Sequence, residues 1–136
     1  ADGKGNDAIL WFRDDLGSDV PTPAAHQGRA YVVSDGKSTK GTITCVNLAT
    51  GKSEWEVKLP KSRGGYSSSP LIAGNHLYVT QENGTTFVLG PLNADQPAVV
   101  SKNVISDDEP FTVASPIPYQ ESLLLRSRHK LYRIVK

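Results

Sequence analysis

The 136-residue chain carries 15 basic and 14 acidic side chains, a formal net charge of +1, so no whole-domain field draws it to nucleic acid or to a membrane surface. A hydrophobic fraction of 38% supplies one core of ordinary size, and no apolar run approaches the roughly 18 residues of a membrane-spanning helix. The single cysteine, Cys45, excludes an intrachain disulfide and a multi-thiolate metal site, and reads as a small buried residue.

Twelve short strands and no substantial helix are expected in chain order, because no segment sustains a 3.6-residue period. The chain lacks methionine and opens on the polar "ADGKGNDA", which predicts a processed form or a piece of a longer protein. The first strands are expected at 8–13, 20–26, 29–34, 42–48 and 53–59, with "HQGR" and "DGKSTKG" as turns around "YVVS". The next are expected at 67–73, 76–80, 85–89 and 97–104. Here Asn83-Gly84 predicts a type I′ hairpin, and that tip also accounts for the formal glycosylation sequon at Asn83. The last three are expected at 112–118, 122–126 and 130–135.

The chain repeats itself. Trp11, Trp55 and Val99 fall at steps of 44, while Pro23, Pro70 and Pro116, and likewise Tyr31, Tyr78 and Leu124, fall at steps of 47 and 46. Units near 8–52, 53–96 and 97–136, each of about four strands, compose a single segment over 1–136. Four-stranded units of this length predict an all-β chain of about three four-stranded antiparallel propeller blades.

Within this frame "CVNLATGKSEW", residues 45–55, resembles the tryptophan-docking motif of the pyrroloquinoline-quinone-type (quinoprotein-like) propeller repeat. Cys45 stands for the usual Ala and Asn47 for the usual Asp, while Thr50, Gly51, Lys52 and Trp55 match; Trp11 holds the corresponding place one unit earlier. The resemblance implies that Trp55 lays its indole against the neighbouring blade. It also implies an extracytoplasmic location, periplasmic or extracellular. The motif decays in the next unit, where "VLGPLNADQPAV" lacks Thr-Gly-Lys and Trp.

The family holds both scaffolds and quinone-dependent dehydrogenases, so fold alone assigns no activity. The dehydrogenases imply pyrroloquinoline quinone and calcium, but the adjacent-cysteine disulfide of some members is excluded by the single Cys. Asp107, Asp108 and Glu109 do not alternate as an ion-wrapping loop does, and His26, His76 and His129 lack metal-ligand spacing. No cofactor is therefore expected. The leading reading is a non-enzymatic scaffold that binds a protein or other ligand through its loop face; the alternative is a fragment of a pyrroloquinoline-quinone-dependent dehydrogenase.

Candidate binding residues lie in the loops "KSRGGYS", "SDDEP", "DGKSTKG" and "RSRHK". Arg63 and Tyr66 are of anchor type, and Arg126, Arg128 and His129 supply positive charge opposite Asp107, Asp108 and Glu109. Residues 8–13 align with an outer strand and the last unit stops after its third, so remaining blades of a larger propeller, or a second copy, are expected to complete the arc.

Overall fold

The computed structural model describes residues 8–60, 64–106 and 109–135, and among them it contains eleven strands in three antiparallel sheets. β1 (Ala24–His26), β2 (Arg29–Val33), β3 (Thr42–Asn47) and β4 (Ser53–Lys58) form the first, in that order. β5 (Leu71–Ala73), β6 (His76–Thr80), β7 (Thr85–Gly90) and β8 (Ala98–Val104) form the second, and β9 (Ile117–Tyr119), β10 (Ser122–Arg126) and β11 (Leu131–Val135) the third. The chain is all-β, built of propeller blades. The sheets begin at residues 24, 71 and 117, so the unit that the fold repeats is inner strand to outer strand.

The prolines explain that phase. Pro23, Pro70 and Pro116 each stand immediately before an inner strand, and each inner strand is only three residues long. Proline has no N–H to give a ladder. The residues ahead of it bond instead across the blades: the Thr22 amide donates to Ser69 Oγ at 2.9 Å, and the Ser69 amide to Ser115 Oγ at 2.9 Å. The inner strands expected at 20–26, 67–73 and 112–118 are therefore shorter than the sequence suggested. Tyr31, Tyr78 and Leu124 hold one register position, opposite Ala24, Leu71 and Ile117.

Alternation along the strands builds the core between the first two sheets. Tyr31, Val33, Ile43, Cys45 and Trp55 meet Leu77, Val79, Phe87 and Leu89, and Leu59, Tyr66 and Leu92 from the connections join the same buried cluster. The Tyr31 and Trp55 ring centroids are 5.7 Å apart. Each fully buried side chain of this size stabilises by roughly 1.5–3 kcal/mol relative to exposure.

Three expectations are corrected. Residues 8–13 form no strand, because an outer strand needs a third strand to pair with and none lies beside it among the described residues. At the β6–β7 turn positive φ is confined to Gly84 (78°); the Gly84 amide donates to the Gln81 carbonyl at 3.0 Å and the Gln81 amide to Thr85 at 2.7 Å. That is a three-residue loop closed by a left-handed glycine, not a type I′ pair. Finally, Trp55 pairs with Cys45, which pairs with Tyr31, whereas Tyr78 pairs with Val88 and Val88 with Ser101. Ser101, not Val99, stands where Trp55 stands, because the connection from Leu89 to Val99 is longer than that from Val46 to Ser53.

Candidate partner-binding loop face

The connections β2–β3, β4–β5, β6–β7, β8–β9 and β10–β11 are tied together by backbone hydrogen bonds. The Leu59 amide donates to Gly41, Glu82 to Gly65, Thr112 to Glu82, and Arg128 to Phe111, all at 2.8–2.9 Å. The Glu82 carboxylate adds Ser67 Oγ at 2.5 Å. Backbone hydrogen bonds thus link neighbouring loops of this face to one another.

Its exposed cluster is made by Glu109, Phe111, Arg128 and His129. The Arg128 guanidinium sits 5.3 Å from the Phe111 ring centre, and Glu109 takes His129 Nε2 at 3.1 Å and Arg128 at 3.8 Å. The structure thus brings together three residues singled out in the sequence. Phe111 was missed, since it borders a run read as a strand; its signal is a lone aromatic between the acidic loop and Thr112. Arg126 ends β10 and is exposed, opposite Leu131. Arg63, Asp107 and Asp108 lie outside the described residues.

Tyr66 is corrected. It is 2% exposed, its ring packs against Gly41, and Gln81 Nε2 donates to its hydroxyl at 2.7 Å, so it anchors the core between sheets rather than a partner.

The residues of the "CVNLATGKSEW" stretch shape the β3–β4 turn. Asn47 Oδ1 accepts the amides of Ala49 (3.0 Å) and Thr50 (3.2 Å), its carbonyl accepts the Gly51 amide at 2.8 Å, and its Nδ2 donates to Glu54 at 3.0 Å. This explains why a short side chain with an acceptor oxygen is needed there. Thr50 Oγ1 accepts the Lys52 amide at 3.3 Å. Hydrogen bonds from Asn47 and Arg29 hold the Glu54 carboxyl below its ordinary range. Gly51, at φ 71°, lies under Trp11, whose Nε1 donates to the Leu48 carbonyl at 2.8 Å. The matching carbonyl in the second sheet, Leu92, receives Arg29 Nη1 at 3.5 Å instead, while Trp55 Nε1 is buried without a partner among the described residues.

Among the described residues no three His, Cys, Asp or Glu side chains converge as metal ligands would, and Cys45 is buried in the core, its thiol pushed up to about 11 by burial.

Residues 3–100 match the family model described as outer membrane protein assembly factor BamB. The chain belongs to that family. Among solved structures it is similar to BamB from Moraxella catarrhalis, with 22% identity and a TM-score of 0.52 over 72% of this chain. The match spans 26% of that BamB chain, about a quarter of its length. A europium-containing methanol dehydrogenase matches over 52% of this chain and 13% of its own, with 22% identity and a TM-score of 0.41. No curated protein matches the sequence. The BamB likeness shows the propeller architecture. No helix among the described residues is long and apolar enough to cross a membrane.

Proposed function

We propose that the chain is a non-enzymatic propeller scaffold that binds a protein partner through its loop face, with Arg128, Phe111, Glu109 and His129 as the contact. The observation that carries this reading is the exposed guanidinium held over an exposed aromatic ring beside a carboxylate, on loops fixed by backbone hydrogen bonds. Arg and aromatic residues are enriched among interface anchors. The family description, an outer membrane protein assembly factor, supports a protein partner and an extracytoplasmic location. Trp11 over Gly51 and Trp55 in the shared core are read as fasteners between successive blades.

The test is crosslinked capture from an envelope extract with the wild-type chain and with Phe111→Ala/Arg128→Ala. A captured protein lost at least tenfold in the double variant supports the site; undiminished capture sinks it. The dehydrogenase reading is tested separately. Reconstitution with quinone and calcium is expected to give no dye reduction, and substrate-dependent reduction would reverse that assignment.

A further inference from the structure

Arg128 and Phe111 are joined through the backbone as well as through their side chains. The Phe111 carbonyl accepts the Arg128 amide and the Thr112 amide donates to the Glu82 carbonyl, both at 2.8 Å, so both polar groups of the Phe111–Thr112 peptide are held. The loop that carries Arg128 is closed on itself. The Ser127 amide donates to the Lys130 carbonyl at 2.8 Å, and Ser127 Oγ accepts the Lys130 amide at 3.2 Å. Thr112 and Ser127, the neighbours of the pair, are buried. Ordering a free arginine side chain costs up to about 2 kcal/mol of rotamer freedom. Here the ring and the loop restrict it before any partner arrives.

The guanidinium held in this way has its hydrogen-bonding edge unused. Its central carbon lies over the Phe111 ring, 5.3 Å from the ring centre. Glu109 Oε2 stands 3.8 Å from Arg128 Nη1, beyond hydrogen-bond reach, and nearer to His129 Nε2 at 3.1 Å. No described residue accepts a hydrogen bond from the Arg128 side chain, which is 58% exposed. Five N–H donors in a planar fork match the paired oxygens of a carboxylate. We propose that the Arg128 fork receives an Asp or Glu side-chain carboxylate of the protein partner, and that Glu109 holds its place at longer range while the partner is absent. The proposal rests on the reading of the loop face as the protein contact and adds the partner's chemistry to it. Within that contact Glu109 is an internal competitor, supplying charge to Arg128 without a hydrogen bond.

The probe is acetylglutamate α-methylamide, whose only charge is its side-chain carboxylate, titrated into the full chain and followed by the arginine Nε–H resonances. Arg126 is the internal reference, since it is exposed at the start of the same loop and makes no ring contact or ion pair among the described residues. Binding at Arg128 is expected to be at least about threefold tighter than at Arg126, with no response to the neutral acetylglutamine α-methylamide. Glu109→Gln is expected to tighten the Arg128 site about threefold, the opposite of what a Glu109 that bonds the partner itself would give. Phe111→Leu, which removes the ring, is expected to reduce Arg128 to the level of Arg126. Equal affinity at the two arginines, weaker or unchanged binding in Glu109→Gln, unchanged binding in Phe111→Leu, or tighter binding of acetylglycine or inorganic phosphate overturns the proposal. Should envelope capture still be lost in Phe111→Ala/Arg128→Ala beside any of those results, the loop-face reading stands and the carboxylate assignment alone falls.

Discussion

The ring of Trp11 covers Gly51 so closely that a Cβ at residue 51 would lie 2.7 Å from Trp11 Cδ2. Position 51 also holds φ at 71°, which L side chains rarely adopt. Gly51→Ala is therefore expected to cost about 1–3 kcal/mol in urea unfolding. Part of that loss is steric, so it should shrink by at least about 0.5 kcal/mol in a Trp11→Ala background. Additive effects would show that the ring does not rest on the glycine.

Trp55 is 6% exposed in the core shared by two sheets. Trp55→Ala is expected to destabilise by about 3–5 kcal/mol, as large aromatic truncations in cores do. Trp55→Phe should cost less, since it also removes a buried N–H without a described partner. Wild-type melting of the alanine variant would contradict the packing.

Gln81 and Tyr66 are both buried, and the bond between them joins the β6–β7 turn to the β4–β5 connection. Tyr66→Phe leaves the amide unsatisfied and is expected to cost about 1–3 kcal/mol. Partner capture by the folded variant should be unchanged, which separates this residue from the Phe111 and Arg128 contact.

Burial raises the Cys45 thiol from 9.0 to about 11 in the fold. Between those values the unfolded chain has lost a proton that the native chain keeps, so stability is fully present below pH 9.0 and falls as pH rises towards 11. Melting temperature should drop between about pH 9 and pH 11, less steeply in Cys45→Ala. Tyr31 and Tyr66, also raised by burial, act in the same direction, so the difference between the two slopes is the readout.

Two apolar surfaces face solvent at opposite ends of the chain. Leu10 and Phe12 are each 80% exposed, and Leu131 and Val135 are 70% and 65% exposed on β11, the edge strand of the third sheet. Such an edge with an apolar face invites pairing. Sedimentation is expected to show mass above 14.7 kDa that rises with concentration, and Leu10→Lys/Phe12→Lys should return the chain to a monomer. A monomer at all concentrations would show that these ends do not meet.

Much of this architecture was legible because proline and tyrosine recur in phase with the inner and second strands. Their positions depend on local turn chemistry and on the alternation of a strand, both of which are written in neighbouring residues. The docking stretch was legible for the same reason, since Asn47 acts within its own turn. Burial of Tyr66 was not legible. Its loop has an exposed composition, and the amide that holds it is fifteen residues away. The counterpart of Trp55 was misplaced because a constant step cannot register a longer connection. Phe111 gained meaning only when β10–β11 brought Arg128 over it.

The hydrogen bonds from Thr22 to Ser69 and from Ser69 to Ser115 sit at the inner margin of all three sheets. They act as a pivot, leaving the outer margins to spread by whatever volume lies between the blades. Indole and phenol rings fill the first gap, whereas Tyr78 and Thr86 line an open space in the second. Side-chain volume in the gaps thus sets the curvature of the arc, much as the thickness of voussoirs sets the radius of an arch, while each strand keeps its own length and register.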